Sequence, residues 1–233
     1  YYQSRRDKMV AGEVVPPSID LTNEDLLRAH LHAVWLATTG VKMHATIPGE
    51  ILDTSQPECP LVDDVQQQAT LSPEAFADCR AQCRRVLEAC GPELQQARWF
   101  SDEWVQQVLD GAPRSFSAAF DRWREMFGAA REQLRRGREL EDQQLLGIGG
   151  DADKKQAETL QREARRQLEL LFCRQGGASE GDFYPYRYLA TEGFLPGYNF
   201  PALPVRVFIE RDGRGTYLSR PRAIALSEYG PFN

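Results

Sequence analysis

Two long stretches of this sequence set their apolar residues at helical spacing, and a glycine-rich break joins them. Phe116, Phe120, Trp123, Phe127 and Leu134 follow at intervals of four, three, four and seven. That spacing keeps them on one seam of a helix. Arg122, Arg124, Arg131, Arg135, Arg136 and Arg138 decorate the rest of the same stretch. After Gly147-Ile148-Gly149-Gly150, a second helix is expected from about Asp153 to Arg174, with Ala157, Leu160, Ala164, Leu168 and Leu171 as its seam. Two long amphipathic helices with a short link between them fold back as an antiparallel hairpin. The chain is therefore expected to be mainly α.

The flanking segments carry local signals. Thr22-Asn23-Glu24-Asp25 reads as a helix start, with Thr22 as the cap and the acids at the positive end of the dipole. Leu27, Leu31 and Val34 form its stripe, and Gly40 is the expected stop. Residues 41–70 mix prolines, acids and glutamines without periodicity and are expected to be loop with short turns. Ser72-Pro73-Glu74 starts a helix that should run to Cys90, before Gly91-Pro92. Ser101-Asp102-Glu103-Trp104 starts a shorter one, expected to end near Gly111. Beyond Gly176-Gly177 the composition turns aromatic and proline-rich. Val205, Val207 and Ile209 alternate as in a strand, Asp212-Gly213-Arg214-Gly215 makes a turn, and Thr216-Tyr217-Leu218 returns. The carboxy-terminal part is therefore expected to be small and α+β. Residues 1–20, with Val14-Val15-Pro16-Pro17, read as an extended connector.

Charge and cysteine usage bound the function. The 28 Lys and Arg against 34 Asp and Glu give a net charge of −6. The excess sits in residues 1–70, while residues 183–233 are mildly basic. Any contact with nucleic acid must come from a local stripe. Five cysteines, an odd number in a chain this long, suit a reducing compartment with free thiols in the core. Cys79 and Cys83 share a helix face, but no C-x-x-C pair exists and no metal site is expected. No signal peptide and no run of about 20 apolar residues is present, so no membrane partner is expected.

Chemistry of the self-sufficient kind is missing from the pattern. No phosphate-cradling G-x-x-x-x-G-K-[ST] loop occurs, and Gly147-Ile148-Gly149-Gly150 runs into Asp151 and Asp153, which repel phosphate. His30 and His32 are two apart and point to different faces of a helix, and His44 stands alone. No catalytic residue, metal ligand or cofactor site is assigned within these residues.

Two stretches together carry a resemblance. One runs from Tyr1-Tyr2-Gln3 through Met9-Val10-Ala11-Gly12 and Pro16-Pro17 to Leu21-Thr22-Asn23-Glu24-Asp25-Leu26-Leu27-Arg28-Ala29-His30. The other comprises Tyr186-Arg187-Tyr188-Leu189, Glu192-Gly193-Phe194-Leu195-Pro196-Gly197-Tyr198-Asn199-Phe200-Pro201, and Leu218-Ser219-Arg220-Pro221-Arg222 through Ser227-Glu228-Tyr229-Gly230-Pro231. They resemble the segment between the second RecA-like lobe and the carboxy-terminal module of large bacterial superfamily-two DEAD/DEAH-type helicases, of the DISARM phage-defence and mitomycin-repair kinds. About a third of the chain carries this resemblance.

The resemblance implies a connector from a motor lobe over residues 1–20, a helical accessory domain over 21–180 and the start of a β-containing module over 181–233. It implies a cytoplasmic, ATP-dependent DNA helicase or translocase, in phage defence or DNA repair, whose ATP and Mg are held elsewhere in the parent protein. The implied partners are DNA and a second defence-system subunit with a related carboxy-terminal module. Candidate nucleic-acid contacts are Arg135, Arg136, Arg138, Arg187, Tyr198, Phe200, Arg220 and Arg222. Each has a plainer alternative. The helix arginines can pair with Glu125, Glu132, Glu139 and Glu163 as a solvated face, Tyr198 and Phe200 can pack a domain corner, and Arg220 or Arg222 can pair with Glu228. A protein–protein scaffold built on the acidic first 70 residues and the hairpin is the alternative function, and a free-standing helical protein is a third.

Overall fold

The computed structural model describes residues 22–147, 150–172, 183–197, 205–211 and 214–220, with 224, 225 and 228. The connector expected over residues 1–20 lies outside them. The described chain is mainly helical: α1 (Glu24–Thr39), α2 (Asp63–Gln68), α3 (Pro73–Ala89), a 3-10 turn at Leu94–Gln96, α4 (Asp102–Ala118), α5 (Asp121–Leu145), α6 (Asp151–Leu171) and α7 (Pro185–Thr191).

Local chemistry sets most helix starts. Asn23, one residue after the expected Thr22, caps α1 by accepting from the Leu26 amide at 3.0 Å. Ser72 and Ser101 do the same for α3 and α4, through the Ala75 and Trp104 amides. Gly40 ends α1 in the left-handed conformation, φ 67°.

α1 packs against α3 and α4, and α3 against α4. Leu31, Trp35, Cys79, Cys83, Leu109 and Phe116 fill the space between them. Residues 41–62 are loop with short turns, as expected, but the loop enters the core, and residues 63–68 are helical. Ile47, Ile51 and Leu52 are fully buried, short bridges join Pro48 to Leu52 and Leu52 to Leu61, and Val65 on α2 is buried too. α4 does not end near Gly111 but runs through Pro113 to Ala118. Proline inside a helix costs about 3 kcal/mol. The buried stripe of Trp104, Val105, Val108, Leu109, Ala112 and Phe116 offsets it by removing apolar surface from water.

The Phe116–Leu134 seam is not one helix either. The chain bends at Ala119-Phe120, so Phe116 belongs to α4 and Trp123 and Phe127 to α5. The four aromatics still meet in the core: Phe116 and Phe120 are edge-on at 5.4 Å, and Trp123 and Phe127 stack at 4.9 Å. Arg124 holds the bend. Its guanidinium donates to the Ser117 carbonyl at 2.6 Å, to Ser117 Oγ at 3.1 Å, to Asp121 Oδ1 at 2.7 Å and to the Cys59 carbonyl at 3.0 Å. Cys59 is buried and takes a positive φ of 45°, rare for a residue with a side chain.

α5 and α6 form the expected antiparallel hairpin. α6 begins two residues earlier than expected and is described to Leu171. Its seam buries Ala157, Ala164 and Leu171, with Leu160 and Leu168 half-buried. α7, on the far side of the expected boundary near residue 180, sends Tyr188 and Leu189 into the same core. Phe194 follows them, against Trp35 and Phe116. Strands β1 (Val205–Arg211) and β2 (Arg214–Arg220) pair antiparallel from Val205 opposite Arg220 to Arg211 opposite Arg214. Arg214 and Gly215, expected in the turn, are thus part of the second strand.

Candidate interaction site

The hairpin is an arm. At its base Trp123, Phe127, Phe172 and Arg124 tie it to the body. Beyond Ala130 the two helices are zipped by small residues: Ala130 and Gly137 on α5, Ala157 and Ala164 on α6, all buried. The approach is closest at Gly137, where an added Cβ would lie 2.6 Å from Gln161 Cγ and 3.2 Å from the Ala157 carbonyl oxygen. Gln161 is buried there, donating to Glu141 at 2.7 Å and accepting from Arg165 at 3.0 Å. From Arg131 to Leu145 the arm extends about 21 Å. It ends in Leu145 and Leu146, which are 82% and 76% exposed. Gly147 closes the helix at φ 79°, and Asp153 Oδ2 accepts from the Gly150 amide where α6 begins.

The expected arginines of the arm are exposed, and two are clamped. Arg135 grips Glu132 with two hydrogen bonds, at 2.7 and 2.8 Å, and also pairs with Glu139. Arg136 reaches the same Glu132 at 2.9 Å. Hydrogen bonds from Arg135, then Arg136, hold the Glu132 carboxyl down at about 2. Arg138 has no partner among the described residues. A groove of about 630 Å3 runs along this face, lined by Pro57, Gly128, Leu134, the arginines 131, 135 and 138, and the acids Glu132, Glu139 and Asp142. Three cations face three anions, so the groove is neutral.

The other expected contacts fall elsewhere. Arg187 is half-buried on α7. Arg220, on β2, donates to Glu228 at 2.7 Å, the ion-pair alternative read from the sequence. Tyr198, Phe200 and Arg222 lie outside the described residues. Sequence reasoning missed Arg124, the tip leucines and the two arm glycines. The glycines alone gave a signal, since glycine within a helix lowers its stability and asks for a reason.

Inside the body, His32 is buried and stacks on Phe194 at 4.5 Å. Burial lowers its pKa to about 4, so it is neutral at pH 7, and Nδ1 has no hydrogen-bond partner among the described residues. Cys79 and Cys83 are fully buried one turn apart on α3. Cys79 is lowered to about 7 by its hydrogen bond with Cys83, whose thiol is pushed up in turn. Among the described residues, no group of three or more His, Cys, Asp or Glu gathers around a common point. No helix there is long and apolar enough to cross a membrane.

Comparison with protein-family models, with curated proteins and with solved structures finds no match to this chain.

Proposed function

We propose that the chain is the accessory, non-motor part of an ATP-dependent DNA helicase or translocase in phage defence or DNA repair, and that its arm braces neighbouring protein instead of gripping DNA. The family reading rests on the resemblance carried by the two terminal stretches quoted above. The β1–β2 hairpin is then the entry to the carboxy-terminal module, and ATP and Mg are bound by the lobes of the parent protein. The single observation behind the bracing role is the neutral groove. Arg135 and Arg136 already hold carboxylates, and phosphates would have to displace them. The second reading, a scaffold that docks a partner subunit, draws on the exposed Leu145 and Leu146, since such a tip suits a protein contact.

The test is made in the parent protein. Residues 135–163 are replaced by a short glycine–serine turn, which leaves the base of the arm intact. Strand separation per ATP hydrolysed is expected to fall several-fold, with DNA affinity and its salt dependence unchanged. A drop in DNA affinity with a shallower salt slope overturns the bracing role in favour of phosphate contact. Loss of a subunit from the complex, with coupling intact, favours the scaffold. A parent without ATPase activity removes the helicase reading altogether.

A further inference from the structure

Two glycines sit in α5, and the described residues explain only one of them. Gly137 makes room for α6, whereas Gly128 is exposed and an added Cβ there would meet nothing within 4 Å. A glycine inside a helix destabilises it relative to alanine. Gly128 also opens a straight stripe. Gly128, Arg131, Arg135, Arg138, Asp142 and Leu145 recur at alternating intervals of three and four, the spacing of a coiled-coil seam. All of this stripe except Leu145, which lies beyond it at the tip, lines the groove, and α6 packs on another side of α5, through Gly137. It has no covering element among the described residues.

We infer that the stripe is the seam of an antiparallel dimer between two copies of the chain, Leu145 of each seated over Gly128 of the other and Asp142 paired with the other's Arg131. Reversed on itself, the stripe is complementary at its two outer layers and sets arginine beside arginine at its centre. Gly128 falls opposite Leu145, Arg131 opposite Asp142 and Arg135 opposite Arg138. A two-fold contact requires this reciprocity. Pro57 and the open space over Gly128 provide an apolar hole for an exposed leucine. At the centre, Arg135 carries Glu132 and Glu139, so the unpartnered Arg138 of the other copy meets carboxylates as well as a cation.

Charge complementarity favours this occupant over nucleic acid. Residues 139–155 hold five acids and two lysines around the tip, which repels phosphate, and the groove beside it is of mixed charge and suits a protein surface. A seam about 26 Å long buries area at the low end of specific interfaces, about 1,200 Å2. This inference stands on the arm face alone and is independent of the helicase reading.

Sedimentation equilibrium of the full chain over about 1–100 μM tests it. The mass is expected to rise from 26.4 kDa toward twice that value. Arg131→Glu and Asp142→Arg should each weaken association at least about tenfold. The double variant, which re-forms the pair with its charges exchanged, should restore it. Both positions are exposed and circular dichroism reports the fold of each variant. A monomer at every concentration overturns the inference. So does a dimer indifferent to both single changes, or a double variant as weak as the single ones. Duplex oligonucleotide binding that depends on Arg131 while the protein stays monomeric overturns it in favour of DNA.

Discussion

Replacing Gly137 by alanine tests whether the arm is zipped as tightly as its geometry states. Helix propensity alone predicts a gain of about 1 kcal/mol. Packing opposes it. The new methyl would sit 2.6 Å from Gln161 Cγ, 3.2 Å from the Ala157 carbonyl oxygen and 3.3 Å from the Gln161 amide nitrogen. Gln161 can move its side chain only by giving up hydrogen bonds to Glu141 and from Arg165. The two backbone atoms can move only if the helices part. Overpacking of this kind costs about 1–3 kcal/mol, and one strained hydrogen bond adds about 1 kcal/mol. The net expectation is a loss of about 1–3 kcal/mol. Gly128→Ala, nine residues earlier in the same helix, meets nothing and should gain about 0.5–1 kcal/mol. Urea unfolding followed by circular dichroism, at sub-micromolar protein, gives both values, with the slope m as the check on a common unfolded state. Hydrogen exchange then shows whether the loss is confined to arm amides, as local opening would require. If Gly137→Ala stabilises the chain as much as Gly128→Ala does, the close approach is refuted and the arm is looser than described.

Arg124→Ala should cost about 2–3 kcal/mol by leaving the Ser117 and Cys59 carbonyls without their charged donor. Arg124→Lys should recover only part of it, because an ammonium cannot span the fan; thermal unfolding of both variants checks this. Trp123→Ala should cost about 3–5 kcal/mol, while Trp123→Phe should cost far less, because the buried indole N–H has no partner to lose. The His32 pKa is depressed from 6.5 to about 4 in the fold. Between those values the unfolded chain binds the proton and the folded one does not, so stability is full above pH 6.5 and falls as the pH drops toward 4, by about 3 kcal/mol. His32→Phe should flatten that part of the wild-type pH dependence, and equal denaturation profiles for the two proteins would contradict it.

The elements readable from the sequence are those whose causes are local. Ser72-Pro73 and Ser101-Asp102 announce their helices because the capping oxygen lies three residues from the amide it serves. The hairpin is legible because apolar residues recur at helical spacing along α6 and, from Trp123 onward, along α5, although Phe116 of the first seam belongs to α4. Gly111 and Pro113 mislead for the opposite reason: they are local stop signals overruled by burial of Ala112 and Phe116 against distant residues. Ile47, Ile51 and Leu52 leave no periodic trace, since amides and carbonyls such as Val62 to Ile51 hold them, not a helix face. The site divides the same way. The Glu132–Arg135–Arg136 cluster follows from intervals of three and four, whereas the sequence shows Gly128 and Gly137 as the same residue in the same helix. Only the position of α6 tells one from the other.

That distinction bears on what the arm can touch. A DNA-binding helix gains most of its affinity by releasing counterions from phosphates, which needs cations that are not already neutralised. On this face Arg135 and Arg136 share Glu132, and the groove that holds Arg131 and Arg138 also holds Asp142 and Glu139. Breaking exposed ion pairs costs little in itself. The carboxylates remain in the groove afterwards, and each cancels the field that would attract the next phosphate. A protein surface has no such difficulty, because it can answer each arginine with a carboxylate and each carboxylate with an arginine. Neutral charge of mixed sign, a seam that the described residues leave uncovered and a glycine that none of them uses are the three features the inferred dimer accounts for together, with another helix of mixed charge as the complement.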